Sequence, residues 1–230
     1  MSTRLVIDQR NELKELRESD FPNQPAPIRI AASLFSYIFH PVFIPVYVTI
    51  FLVYLHPYFF IGFTSQRKLL VVIQAALMYS FFPIVTVLLL KALKFIQSVY
   101  LSTQKDRIIP LVICGIWYFW VWNVWRNLDD YPREIVVFAM ATFLGSSIGL
   151  MMNIYMKVSL HAISVGVVLG FMFWLGFSQN INAGIYISAA LLMTGIVCSS
   201  RLIISDHSSK EIYGGLLAGM VAIPIANLFV

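Results

Sequence analysis

Long apolar runs are the feature of this sequence that most constrains its fold. Seven runs of about 17 to 25 mostly apolar residues follow one another, and a helix of about 20 such residues crosses a bilayer. The runs are continuous and do not alternate with polar residues, which disfavours a β-barrel. We therefore expect an all-α, polytopic transmembrane helical bundle with six to seven spanning helices. The runs are Ala31–Leu55, Leu69–Leu90, Ile108–Trp125, Glu134–Met152, His161–Phe177, Ala183–Ser200 and Glu211–Val230.

The overall composition supports this class. Of 230 residues, 59% are hydrophobic and 12% are charged, whereas roughly a quarter of the residues in a soluble domain are charged. We expect an integral, multi-pass protein of a bacterial inner membrane or another cell membrane. The net charge of +5 suits anionic lipid headgroups and cytoplasmic loops. No basic stretch is interleaved with aromatic residues, so nucleic acid is not an expected partner.

The chain divides into two regions. Residues 1–30 are polar and charged and end in a proline-rich stretch, so we expect a short surface helix followed by a stiff linker. Residues 31–230 form a single transmembrane domain, because no connection is long enough for a second soluble domain. Cys114 and Cys198 lie inside apolar runs and are expected to be small buried hydrophobic residues, with no zinc pattern around them.

Three pairs of glycines have the spacing of closely packed membrane helices. This spacing predicts helix packing within the bundle, with a homo-oligomer formed through a glycine face as the alternative. The pairs are Gly145/Gly149, Gly166/Gly170 and Gly215/Gly219.

Polar residues between the runs form three clusters. If all seven runs cross the membrane, the connections after the second, fourth and sixth runs lie on one side, and the clusters meet there. That side carries twelve of the sixteen Lys and Arg residues, which predicts the cytoplasmic face. The clusters are Lys105 with Arg107; Lys157 with Ser159 and His161; and Arg201 with His207 and Glu211.

The cations of these clusters suit a phosphate group. Arg107 and Arg201 offer planar forks of donors, and Lys105 and Lys157 are point charges. A bound phosphate would balance their charge, because the nearby carboxylates are too few. The alternative is that the cations are anchors that reach lipid headgroups. The nearby carboxylates are Asp106, Asp206 and Glu211.

Two of the four histidines are candidates for chemistry. His207 and Glu211 are four residues apart and share a helix face, so the carboxylate can fix the imidazole tautomer and leave the other nitrogen free to attack. His161 is a candidate general acid. His40 and His56 each precede a proline and are interpreted as interfacial or kink residues. A zinc or iron site is the competing interpretation, which the surrounding cations disfavour.

These residues resemble the three-motif pattern of the type 2 phosphatidic acid phosphatase (PAP2) superfamily of membrane lipid phosphatases. Its third motif is Ser-Arg, five residues, His, three residues, Asp. Here Ser200, Arg201 and His207 fit with the same spacing, and Glu211 stands in place of Asp. Its second motif is Pro-Ser-Gly-His, and the sequence Val158-Ser159-Leu160-His161 keeps the Ser and the His.

The first motif of that superfamily is Lys, six residues, Arg-Pro. Its counterpart here is degenerate: Lys105-Asp106-Arg107, followed by Pro110. The resemblance extends from Lys105 to Gly215, about half of the chain. The third motif is fairly specific, the second moderately so, and the first is weak alone.

The resemblance implies a metal-independent, cofactor-free phosphatase that hydrolyses a lipid phosphomonoester or pyrophosphate, such as phosphatidate, phosphatidylglycerophosphate or polyprenyl pyrophosphate. It implies that His207 forms a phosphohistidine, that Glu211 orients His207, and that His161 protonates the leaving group. The implied phosphate-binding residues are Lys105, Arg107, Ser159 and Arg201.

Two departures from the pattern bear on activity. Leu160 replaces a glycine where backbone would approach phosphate closely, and Glu211 has an arm one methylene longer than Asp. A non-catalytic lipid-phosphate binding or transport protein on the same scaffold is the main alternative. A membrane protein whose polar clusters are purely structural is another.

Overall fold

The computed structural model describes residues 4–7, 13–16, 24–56, 58–99, 101, 103–178, 183–204 and 207–230. Eight helices and two strands lie in this part of the chain. The strands are β1 (Arg4–Ile7) and β2 (Leu13–Leu16). The helices are α1 (Ala26–Ile38), α2 (Ile44–Leu55), α3 (Ser65–Ala92), α4 (Gln104–Arg126), α5 (Arg133–Tyr155), α6 (Leu160–Ser178), α7 (Gly184–Ile204) and α8 (Ser209–Asn227). The end of α2 (Phe51–Leu55) and the middle of α3 (Ala76–Phe81) are wound as π-helix.

The N-terminal region differs from the surface helix that the sequence predicts. β1 and β2 pair as an antiparallel hairpin, with Arg4 opposite Leu16 and Ile7 opposite Leu13. Val6 and Ile7 are β-branched, and such residues favour strands over helices. The predicted proline-rich linker falls partly on residues 17–23, which lie outside the described residues.

The first apolar run, predicted as one segment, is divided into two helices. α1 ends at Ile38 and α2 begins at Ile44. The break falls at His40-Pro41, where proline lacks a backbone N–H and disfavours the helical conformation of the residue before it. α1 and α2 are each too short to cross a bilayer alone.

Five of the described helices, α3 to α7, are long and apolar enough to cross a membrane. α8 is not among them, and its first turn carries Lys210 and Glu211. The outward faces of α3 and α7 expose large apolar side chains such as Leu69 and Leu192, as expected of helices in contact with lipid. The chain is therefore a multi-pass membrane protein whose described transmembrane part is helical.

α6 lies at the centre of the bundle and contacts α2, α5, α7 and α8. Its contact with α8 depends on glycine. A Cβ atom on Gly166 would overlap the carbonyl oxygen of Leu216, and one on Gly219 would overlap that of Ile163. The two backbones therefore touch with no side chain between them, which confirms that these glycines serve packing within the bundle.

The other glycines of the predicted pairs behave similarly. A Cβ atom on Gly215 would lie 2.9 Å from the carbonyl oxygen of Ser159, and one on Gly145 would lie 3.0 Å from the Val167 side chain. α5 and α8 thus both approach α6 through glycine surfaces, and this sets the positions of the α6 and α8 N-termini.

Replacement of Gly219 by Ala tests this packing. The added methyl has no space against the Ile163 carbonyl, so the helices must separate. We expect Gly219→Ala to lower the free energy of unfolding by about 1–3 kcal/mol. The measurement is denaturant or thermal unfolding of the purified protein in detergent micelles.

Gly195→Ala is the matched control, because a Cβ atom there meets nothing within 4 Å. Alanine is the better helix former by about 1 kcal/mol or less, so this variant should be as stable as the wild type or slightly more stable. Equal stability of the two variants would contradict the proposed role of the α6–α8 contact.

Candidate functional site

A cavity of about 590 Å³ lies at the end of the bundle where α4, α6 and α8 begin and α7 ends. We call the side chains lining that end the polar end of the cavity. They are His40, Arg107, Lys157, His161, Arg201 and His207.

The cavity is elongated along the bundle. Arg107 and Tyr118 both line it, and a separation of eleven residues on α4 corresponds to about 16 Å along a helix. Beyond the polar end, the lining is mostly apolar. We call this part the apolar arm, and its lining includes Pro83, Val87, Leu88, Leu111 and Phe138.

The structure brings four of the seven predicted site residues to the cavity surface. These are Arg107, His161, Arg201 and His207. Ser159 and Glu211 are buried in the wall next to it. Lys105 is exposed and does not line the cavity. Residues 105 and 107 are two positions apart on a helix, about 200° around its axis, so they do not share a face.

Arg107 is held at the cavity wall by two backbone carbonyls. Its Nε donates to the Leu101 oxygen at 2.9 Å, and its Nη1 donates to the Val158 oxygen at 2.8 Å. Nearby, the side-chain amides of Gln104 and Asn153 each donate to the other residue's backbone oxygen. These bonds join the start of α4 to the α5–α6 connection and fix the guanidinium in place.

Ser159 caps α6. Its Oγ accepts the Ala162 N–H at 3.4 Å, the position of an N-cap side chain, and the residue is fully buried. Its own N–H donates to the Glu211 backbone oxygen at 3.2 Å, which ties the start of α6 to the start of α8. The structure therefore places Ser159 behind the cavity wall, with its Oγ engaged in the helix cap.

His207 lies directly before α8, next to Glu211. Its Nδ1 is 3.5 Å from Glu211 Oε2. The same carboxylate oxygen accepts the Ser208 N–H at 2.7 Å, while Ser208 Oγ accepts the Glu211 N–H at 3.3 Å. This reciprocal pair is a capping box, in which glutamate has the required length. The structure thus gives a physical reason for Glu211 where the family pattern has Asp.

Leu160, the second departure from the family pattern, lines the cavity. Its Cδ2 lies 3.7 Å from the position that a Cβ atom on Gly149 would occupy. The side chain thus packs towards a glycine of α5.

His161 and His40 form a pair at the polar end. His161 Nε2 lies 3.1 Å from the Ser36 backbone oxygen, which only accepts hydrogen bonds, so we assign the proton to Nε2. The His40 ring meets the His161 ring edge-on, with centroids 5.2 Å apart. Sequence reasoning interpreted His40 as a kink residue and missed it. The sequence did contain a signal for this position, because an ionisable residue inside an apolar run is energetically costly and often functional.

The electrostatics of the polar end keep His207 neutral. Burial first, and then the charges of Arg107, Arg201 and Lys157, lower the pKa of His207 to about 4, while Glu211 opposes them. Among the described lining residues there are three cations and no Asp or Glu. Asp206, a carboxylate noted in the sequence, lies outside the described residues.

The described residues contain no group of three or more His, Cys, Asp or Glu side chains placed to hold a metal ion. Comparison of the chain with protein-family models, with curated proteins and with solved structures found no match.

The low pKa of His207 makes a prediction about pH. Because the folded-state pKa of about 4 lies below the ordinary 6.5, the unfolded chain binds more protons between these values. His207 should therefore contribute to an increase in the free energy of unfolding as pH rises from 4 to 6.5, with no further contribution above. Ring ¹³C chemical shifts of labelled histidine, assigned with His207→Gln, measure the titration. A His207 midpoint near 6.5 would contradict the burial and charge argument.

Proposed function

We propose that this protein is an integral membrane lipid phosphatase that works through a phosphohistidine at His207, as its resemblance to the PAP2 superfamily implies. The observation that carries the proposal is the polar end of the cavity. There, Arg107, Lys157 and Arg201 surround His207, and Glu211 lies behind it.

The first supporting argument is charge. Three cations line the polar end, and three helices, α4, α6 and α8, begin beside it. Helix N-termini carry partial positive charge, so they add to the field of the cations. A phosphate group is the ligand that such a site favours, and arginine forks match its oxygens.

The second argument is the relation of His207 to Glu211. With Nδ1 beside the carboxylate, Nε2 is the nitrogen available to attack. Among the described residues, His207 Nδ1 has no hydrogen-bond partner and lies 3.5 Å from the carboxylate. Catalytic hydrogen bonds often form fully only when the substrate binds, and the proposed orienting role requires this contact to shorten then. A neutral imidazole has the lone pair that attack requires.

The proposed reaction has two steps. His207 Nε2 forms a bond to phosphorus, and the bond from phosphorus to the leaving oxygen breaks. The substrate enters as a protonated phosphate monoanion, and His161 Nδ1 takes that proton and passes it to the leaving oxygen. Water then attacks the phosphohistidine, His161 takes a proton from the water, and inorganic phosphate leaves. With His161 Nε2–H bonded to the Ser36 oxygen, Nδ1 is the nitrogen that would carry the transferred proton. Arg107 and Arg201 stabilise the charge on the phosphoryl oxygens.

The third argument concerns the lipid. The apolar arm continues from the polar end between α3 and α4, and it can take a hydrocarbon chain. Leu88 lines this arm and is also 56% exposed on the lipid-facing side of α3, which favours sideways entry from the bilayer. The proposed substrates are therefore lipid phosphomonoesters or pyrophosphates, such as phosphatidate, phosphatidylglycerophosphate and polyprenyl pyrophosphate.

We also propose six membrane crossings, with α8 as the sixth. α8 packs along α6, and its polar first turn would face the headgroups. The α3–α4, α5–α6 and α7–α8 connections then lie on one membrane face, together with the polar end. This count lies within the six to seven expected from the apolar runs.

The test of the function is phosphate release by purified protein in mixed micelles, from the three proposed lipids, with and without EDTA. We expect turnover that EDTA leaves unchanged. His207→Ala should lower it by at least about a thousandfold, the scale seen when a nucleophile is removed. Arg126→Ala is the matched control, since Arg126 stacks over Trp122 at the C-terminal end of α4, away from the polar end, and should leave turnover intact.

A trapping experiment tests the intermediate. Brief incubation with ³²P-labelled lipid phosphate should give an acid-labile labelled protein with the wild type and none with His207→Ala. His161→Asn should form the labelled protein more slowly and, in a chase with unlabelled substrate, lose the label more slowly, because His161 serves both steps. Release of phosphate by His207→Ala would show that another residue is the nucleophile. Lipid-phosphate binding with no turnover by the wild type would favour the non-catalytic binding or transport protein.

A further inference from the structure

His40 is a third histidine at the polar end, and the motifs do not contain it. It lies in the break between α1 and α2 and lines the same cavity as His161, Arg201 and His207. The edge of its ring meets the His161 ring, with an interplanar angle of 83°. The connection after α1 therefore forms part of the cavity wall.

The hydrogen bonding of His40 fixes its tautomer. The Val42 N–H donates to His40 Nδ1 at 3.4 Å, so Nδ1 is an acceptor and bears no proton. In a neutral imidazole, the proton then resides on Nε2. Burial lowers the pKa of His40 to about 4, and the charge of Arg201 contributes to this shift. His40 is therefore a neutral donor through Nε2–H at physiological pH.

The cost of this arrangement argues that it is used. The His40-Pro41 break interrupts a run of apolar residues that would otherwise continue as one helix. A histidine within an apolar run is expensive unless it pairs or binds a ligand. α1, which ends just before this break, supplies the Ser36 oxygen that accepts a hydrogen bond from His161. The end of α1 therefore forms one side of the site.

We infer that His40 is a further substrate-binding residue, whose Nε2–H donates a hydrogen bond to an oxygen of the bound phosphate. The kinetic test of this inference rests on the proposed function. The binding of a phosphate-like anion tests the inference without it. His40 adds a donor without adding charge.

The binding test uses orthovanadate and inorganic phosphate with purified protein in detergent, by isothermal titration. A hydrogen bond to a charged group is lost in His40→Phe, which keeps an aromatic ring, so we expect about ten- to hundredfold weaker binding. His40→Gln retains an N–H donor and should recover part of the affinity. His56→Gln is the matched control, because His56 also precedes a proline and does not line the cavity.

A second measurement observes His40 in the wild-type protein and uses a variant only to assign its resonance. In protein labelled with ¹⁵N-histidine, addition of orthovanadate should shift the His40 Nε2 resonance, assigned with His40→Gln. An unchanged resonance, or His40→Phe binding as tightly as the wild type, would overturn the inference. If the wild type binds orthovanadate through His40 but releases no phosphate from any lipid, the proposed function fails while this inference holds.

Where turnover is present, steady-state kinetics give a further readout. His40→Phe should lower kcat/KM by about ten- to hundredfold, with partial rescue by His40→Gln. His40→Phe should still form the acid-labile phosphoprotein, because His207 remains in place. Wild-type kcat/KM in His40→Phe would overturn the inference.

Discussion

The contact between α6 and α8 is the constraint on which the rest of the site depends. Gly166 and Gly219 allow the two backbones to touch, and no other residue would fit at either position without separating the helices. At the end of this contact, the Ser159 N–H reaches the Glu211 backbone oxygen. His161 lies shortly after Ser159, and His207 lies shortly before Glu211. The backbone packing therefore sets the positions of the two histidines relative to each other. Glycine is thus a structural condition for the proposed chemistry.

Burial of cations near a membrane sets the second constraint. Arg107 is almost fully buried, and two backbone oxygens satisfy part of its guanidinium. Those oxygens are neutral, so the hydrogen bonds position the charge without cancelling it. Glu211 is the nearest described carboxylate to His207, and it lies behind the imidazole rather than in the cavity. The described lining of the polar end thus carries cationic side chains and no Asp or Glu, which suits the anionic group of the proposed substrate.

The sequence predicts the five helices of spanning length, α3 to α7, because long apolar runs leave the backbone few alternatives in lipid, but it does not predict the division of the first run into two short helices. It also predicts the meeting of Arg107, His161, Arg201 and His207, since each lies near the helix end that falls on the same face of the bundle. Helical periodicity alone could have shown that Lys105 and Arg107 lie on different faces of α4. The role of His40 could not have been predicted in this way, because it depends on how the α1–α2 break packs against α6. Nor does spacing show that Ser159 turns inwards to cap α6.

Glu211 shows how one carboxylate can serve two purposes. Its Oε2 accepts the Ser208 N–H and lies beside His207 Nδ1, so the oxygen that starts α8 also faces the proposed nucleophile. In a capping box, a Glu or Gln at the third helical position reaches back to the N-cap N–H, as Glu211 does here. Glu211 thus couples the position of His207 to the first turn of α8. Any movement of α8 along α6 would then be transmitted to the histidine.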